Sequence, residues 1–261
     1  MAVSTAGLNI VKTPAITVLG VPGLPEVVAG DDIGVLIVHA ARGADLEVRD
    51  RDIIVVAQKI VSKSEGRIVR LDSIEASPRA LEWAEAYDKD PRMVEIVLRE
   101  SKRIVRMERG ILISETRHGF VCANAGVDSS NVEEGTALLL PEDPDASARR
   151  IQKILEASFG VGLAVVISDT FGRAWREGLT NVAIGVAGLA PLIDYRGETD
   201  SHGRPLRVTV IAVADEIASA AELVMKKRDA VPVAIIRGFD WDAREASGRE
   251  LIRAPQFDLF R

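Results

Sequence analysis

Asp128 and Asp169 are the acids whose surroundings best suit chemistry, since each follows an apolar stretch and precedes a hydroxyl residue, Ser129 and Thr170 respectively. Magnesium is commonly held by one or two carboxylates, with water and substrate phosphates completing its shell, so two Asp and a Thr hydroxyl suffice. Two carboxylates about 4 Å apart repel by roughly 4 kcal/mol at an effective dielectric near 20, so a shared site calls for a cation or a proton. A second reading stands beside this one. Asp128 and Ser129 can form a turn in "NAGVDSSNVEEG", Asn131 can cap a short helix with Glu134 at its third position, and Asp169 can cap the turn at "DTFGR".

Three other segments carry charge or backbone donors. "VPGLPE" can aim N–H groups at a phosphate, and "AQKIVSK" places Lys59 and Lys63 on one loop as counter-charge for a polyphosphate. A tight turn and a solvated basic loop explain the same residues. "GRAWREG" sets Arg173 and Arg176 just beyond Asp169, where guanidinium forks suit a substrate carboxylate or phosphate; as an ordinary surface loop it would use Trp175 as a packing anchor. Asp215 and Glu216 fit the first turn of a helix, where acids favour the dipole. His39, His118 and His202 have no metal-ligand spacing, and neither a P-loop, a Rossmann glycine pattern nor a G-x-S-x-G elbow occurs.

The elements that must position these residues are legible in outline. "AITVLGVPGLPEV" reads as a strand and a Gly/Pro turn, and "DDIGVLIVHAARG" as a helix behind a double-Asp cap. "RDIIVVAQKIVSKSEGRIVRL" reads as strand, loop, strand, the loop carrying Gln58, Lys59, Lys63 and Glu65. "SPRALEWAEAY" and "DPRMVEIVLRESKRIV" begin with a cap residue and Pro, predicting two helices. "GILISETRHGFVCANAG" predicts a hairpin turning at "TRHG", and "DPDASARRIQKILEASFG" a helix from Asp to Gly. "VGLAVVISDT" predicts a buried strand ending at Asp169-Thr170, "VAIGVAGLA" another, "RVTVIAVADEIASAAELVMKKRD" a strand and helix, and "VPVAIIRGF" a final strand. Without a regular beta-alpha-beta rhythm or a repeat, the class is mixed alpha+beta.

The 261 residues carry a net charge of -6, which argues against general affinity for nucleic acid or an anionic membrane surface. The single cysteine, Cys122, falls in an apolar strand pattern and reads as core, and with no disulfide possible within the chain a cytoplasmic location is expected. No run of eighteen apolar residues suggests a membrane span. Residues 1–14 read as a loose leader, with no secretory signal.

In this order, "GLP", "GDD", "VSKSEGR", "NAGVDSSNVEEG", "SDTFGRAWREG", "VADEIASAAELV" and "PVAIIRGF" resemble the coenzyme F(420)-0:L-glutamate ligase family, from about Ile16 onward. The resemblance implies an α+β fold of mixed, largely antiparallel sheets with packed helices, in two intimately joined lobes, forming an intertwined homodimer. It implies one gamma-glutamyl ligase domain over 15–261, without the nitroreductase-like domain that some members carry. The implied activity adds L-glutamate by gamma-linked amide bonds to the deazaflavin coenzyme F(420) precursor, with GTP as co-substrate and an acyl phosphate as intermediate. Magnesium or manganese, with potassium as a further ion, would serve the phosphates. Asp128, Asp169 and Thr170 match metal ligands; Gly23, Leu24, Pro25, Gln58, Lys59, Lys63 and Asn131 match nucleotide contacts.

On that match Lys63 with Asp128 and Asp169 is catalytic, and Arg173 and Arg176 bind substrate by position. One departure stands out. Many members have Gly-Glu where this chain has Lys226-Lys227, and that Glu resembles a second metal's ligand, so a lysine here is expected to replace the ion's charge. Two rivals remain, a non-catalytic nucleotide-binding homologue and a metal-dependent phosphohydrolase.

Overall fold

The computed structural model describes residues 13–130 and 132–259. Its centre is a five-stranded sheet ordered β1-β12-β2-β8-β9, built from β1 (Thr17–Gly20), β2 (Ile53–Ala57), β8 (Ala164–Arg173), β9 (Arg176–Ala187) and β12 (Val233–Arg237). All neighbours in it are antiparallel except β2 and β8, which run parallel from Ile53 beside Ala164 to Ala57 beside Ser168.

Alternation along these strands splits the sheet's two faces, because successive side chains point to opposite sides. Ile54, Val56, Val165, Ile167, Val233 and Ile235 pack against α1 (Ile33–Gly43) and α5 (Pro144–Phe159). Ile53, Val55, Ala164, Val166, Ala234 and Ile236 pack against α6 (Val213–Met225) and Trp241. Strands covered on both faces read as continuous apolar runs, which is why "DIIVVA" and "LAVVIS" were legible. The predicted caps form as well: Asp32, Ser77, Asp90 and Asp143 each accept a first-turn N–H, and α5 ends at Gly160 in the left-handed region.

The long excursion between β2 and β8 builds a separate apolar cluster. It joins α3 (Pro78–Tyr87) and α4 (Pro91–Glu100), through Trp83, Ala84, Val94 and Val97, to Leu112, Val127 and Leu139. The sheet over it is β4 (Ser101–Glu108), β5 (Ile111–Thr116) and β6 (Val121–Ala123), all antiparallel, while β3 (Ile68–Arg70) pairs antiparallel with β7 (Thr136–Leu138). A short antiparallel pair, β10 (Ile193–Asp194) with β11 (Val210–Ile211), precedes α6. The mixed, largely antiparallel α+β class is therefore observed. Cys122 is buried, as read.

Several expectations need correction. The predicted loop after β2 is a helix, α2 (Gln58–Ser64). The second Pro-started helix stops at Glu100, and "SKRIV" belongs to β4. Asp169 does not end its strand: β8 continues to Arg173 and turns through Ala174 and Trp175 into β9, which begins at Arg176. That turn leaves Trp175 80% exposed rather than anchored in a core. Asp215 does lie in the first turn of α6, yet its Oδ1 accepts the Ala183 N–H of β9 at 2.9 Å. The expected helix start at Asn131 falls on a residue outside the described ones, as do residues 1–12 of the predicted leader and 260–261 of the predicted domain. No described helix is long and apolar enough to cross a membrane.

Candidate active site

Parallel pairing of β2 with β8 brings their carboxyl ends to the same edge of the sheet, the place where ligands gather in sheets with parallel strands. α2 starts directly after β2 and carries Lys59; Asp169 is the first residue of β8 past its pairing with β2. The third contributor, Asp128, comes from the segment after β6. Its backbone is fixed to β7, with Asp128 N–H donating to Leu138 O at 3.0 Å and Leu138 N–H returning the bond at 2.7 Å. Phe120 meets Phe171 of β8 edge-on at 6.3 Å, fastening the β5–β6 hairpin to the central sheet.

Lys59 Nζ lies 2.6 Å from Asp128 Oδ2 and also donates to Ser130 Oγ at 2.6 Å. Ser130 closes the arrangement, its N–H donating to Asp128 Oδ1 at 2.8 Å and its hydroxyl to Oδ2 at 2.9 Å. Thus the turn at Asp128 that the sequence allowed does form, and it presents an ionised carboxylate. Burial alone would push Asp128 up, but the Lys59 and Ser130 hydrogen bonds and the Lys59 charge hold it below the usual carboxylate range.

Asp169 has the opposite fate. It keeps some accessible surface, yet protein packs its carboxyl closely enough that burial pushes it up to about 6. The negative charge of Asp128 adds to this, and the Thr170 N–H bond with the Lys59 and Lys227 charges offsets only part. Two neighbouring carboxylates with pKa values driven apart mark a place where a proton or cation is wanted. Burial, and then the charge of Asp169, push the Cys122 thiol up to about 12, leaving it no role as a nucleophile.

Whether these residues fit a metal ion can be judged from the donor set. Among the described residues no three His, Cys, Asp or Glu side chains converge as a cage. Asp128 and Asp169, with the Thr170 hydroxyl alongside, offer the two carboxylates that a magnesium-type ion takes before filling its shell with water and phosphate oxygens. The fit is to such an open site.

Of the other expected residues, Gly23, Leu24 and Pro25 form the turn after β1, where Gly23 adopts φ +81°, a conformation side chains disfavour. Glu26 of the same turn pairs with Lys63 Nζ, tying the turn to α2. Gln58 is 2% exposed, its Oε1 accepting the Ser62 hydroxyl at 2.8 Å. Arg173 is not brought to the acids, since its guanidinium donates to the Glu177 and Gly178 carbonyls at the hairpin tip. Arg176, its partner across that tip, is exposed.

A profile of the F420-0:gamma-glutamyl ligase family matches residues 23–238. The chain belongs to that family. Among its relatives is "Coenzyme F420:L-glutamate ligase" of Methanothermobacter thermautotrophicus, 51% identical over 249 residues, covering 94% of this chain and 99% of the relative. A protein of the same name from Methanopyrus kandleri is 44% identical, with 95% and 98% covered.

For this member of the F420-0:gamma-glutamyl ligase family, sequence reading missed four residues at the site. Ser130 sat unremarked beside Ser129. Glu26 followed a recognised turn. Asn181, 4% exposed, is a polar residue within an apolar strand, and that mismatch was its available signal. Glu222 lay on α6 with nothing to distinguish it from a solvated acid; its Oε2 accepts Asn181 Nδ2 at 3.0 Å.

Proposed function

We propose that this chain is a GTP-dependent ligase that adds L-glutamate, through gamma-linked amide bonds, to the deazaflavin coenzyme F420 precursor. The observation that carries this reading is the meeting of Lys59, Asp128, Asp169 and Thr170 at the carboxyl ends of the parallel strands β2 and β8. Family membership points to the F420 coenzyme and glutamate as substrates; the acids and lysines supply a reason for adding GTP and its phosphate chemistry there.

In this mechanism a carboxylate oxygen of the coenzyme attacks the gamma-phosphorus of GTP, and GDP leaves with the electron pair of the broken P–O bond. The amine of glutamate, having lost a proton, attacks the acyl carbon, and inorganic phosphate departs. Activation is needed because a free carboxylate is a poor acyl donor. Asp128 and Asp169, with Thr170 beside them, would hold magnesium or manganese, which when bound neutralises phosphate charge. Potassium is a further ion of this reading.

Lys59 keeps Asp128 ionised and oriented, and Lys63 stabilises the transferring phosphoryl group. Lys63 now meets Glu26, whose own side chain is 79% exposed, so a phosphate would have to replace that carboxylate as partner of a largely buried ammonium. The Gly23-Leu24-Pro25 turn and Gln58 would border the nucleotide, with Asn131 as a further contact and Arg173 and Arg176 set for acidic substrate groups. The active form is proposed as a cytoplasmic, intertwined homodimer of two-lobed subunits.

Incubation with the non-glutamylated coenzyme, L-glutamate, GTP and Mn²⁺, followed by mass spectrometry, should show glutamate-sized increments and one phosphate released per bond. Release of phosphate without coenzyme or glutamate would instead indicate a phosphohydrolase. Nucleotide binding with no turnover would indicate a non-catalytic homologue.

A further inference from the structure

α6 ends in an abrupt turn. Lys226 adopts φ 49° and ψ 172°, a region that glycine enters freely and other residues enter at a cost of about 1–3 kcal/mol. Such strain persists only where surrounding contacts fix it, and here it swings the next residue, Lys227, back onto β8. Lys227 Nζ donates to Thr170 Oγ1 at 2.7 Å and lies 3.2 Å from Glu222 Oε1.

The groups around it form a closed ring whose donors and acceptors can be assigned. Glu222 Oε2 accepts from Asn181 Nδ2 at 3.0 Å, which fixes the Asn181 amide, so Asn181 Oδ1 must accept the Thr170 hydroxyl at 2.8 Å. The Thr170 proton is therefore committed, and the Lys227 ammonium fills one of the oxygen's lone pairs. A carboxylate oxygen and a hydroxyl oxygen, beside the closely packed Asp169, are ligands of the type hard cations take. The chain fills that position with its own ammonium, and the Lys227 charge acts on Asp169.

We propose that Lys227 is a resident cation of the site, standing where a second metal ion would otherwise bind, so that nucleotide is taken up with one divalent ion per chain. This rests on reading Asp128 and Asp169 as the pair that holds that ion. An ammonium is a compact point charge well suited to meet phosphate oxygens, and it cannot be removed by chelation or dilution.

The test is Mn²⁺ stoichiometry, read by electron paramagnetic resonance during titration with the β,γ-imido analogue of GTP present. The wild type should saturate at one ion per chain. Lys227→Gln, which leaves Glu222 and Thr170 without the ammonium, should bind two, and Lys227→Arg should keep one. Two tight ions in the wild type overturn the proposal even if Lys227→Gln fails to fold, and an unchanged count of one in a folded Lys227→Gln also overturns it. In either case loss of an ion in Asp128→Asn would leave the metal-holding pair intact as a reading. No bound ion in the wild type would overturn both.

Discussion

Replacing Asp169 by Asn in the metal-free protein should stabilise the fold while destroying function. Burial and the charge of Asp128 raise the Asp169 carboxyl from 3.8 to about 6. Its neutral form is thus favoured in the folded state, and the favourable contribution is fully present below 3.8. It is lost as pH rises through about 6, where the carboxylate must ionise inside the protein. A shift of about two units at about 1.4 kcal/mol each places the cost near 3 kcal/mol above pH 7.

Asn removes the charge and keeps the shape, so urea unfolding in EDTA should show a gain of about 2–3 kcal/mol at pH 8 that vanishes towards pH 4. For a chain of this size the gain corresponds to a melting temperature higher by roughly 5–10 °C. Mn²⁺ with a GTP analogue should then stabilise the wild type and not the variant. A variant no more stable than the wild type at pH 8, or a gain independent of pH, would refute the account of Asp169 as a strained, cation-seeking carboxylate.

Asp128→Asn should abolish tight Mn²⁺ binding and lower kcat/KM by on the order of a thousandfold, measured by metal titration and phosphate release; full activity with unchanged metal affinity would contradict the site assignment. Asp52 is fully buried and receives a two-pronged Arg237 guanidinium at 2.8 and 2.7 Å, so Arg237→Met should cost about 3–5 kcal/mol in urea unfolding. Its activity per folded molecule should remain unchanged. At Gly185 a Cβ would lie 2.5 Å from the Pro144 backbone at the start of α5, so Gly185→Ala should cost at least about 1–3 kcal/mol by the same assay.

What the sequence disclosed, and what it hid, follows from the range of each signal. Asp-Pro and Ser-Pro pairs act within a few residues, so the starts of α3, α4 and α5 could be read directly. α2 has seven residues and no side-chain cap, and its Ile60-Val61 pair continues the apolar run of β2, so nothing local announced a helix. No Gly or Pro marks the junction where α4 ends at Glu100 and β4 begins at Ser101, so helical periodicity reads on into β4. The candidate site is non-local: Lys59, Asp128 and Asp169 meet only because β2 and β8 run parallel and the β5–β6 hairpin docks against β8. Their residue types suggest a cation, but spacing alone favours capped turns, and it is the second strand-end acid, the basic loop at Lys59 and Lys63 and the family likeness together that favour a shared site.

The order of strands also bears on how the protein comes into being. β12 lies between β1 and β2, although both precede it in the chain by well over a hundred residues. Until Val233–Arg237 leaves the ribosome, β1 has no neighbour in the sheet and β2 keeps an open apolar edge. Synthesis at about 5–20 residues per second makes this an exposure of many seconds, a period in which aggregation or chaperone capture competes with folding. A nascent chain arrested before residue 233 should therefore expose its central strands to proteases, and release of this one short strand should close the sheet around the ligand edge.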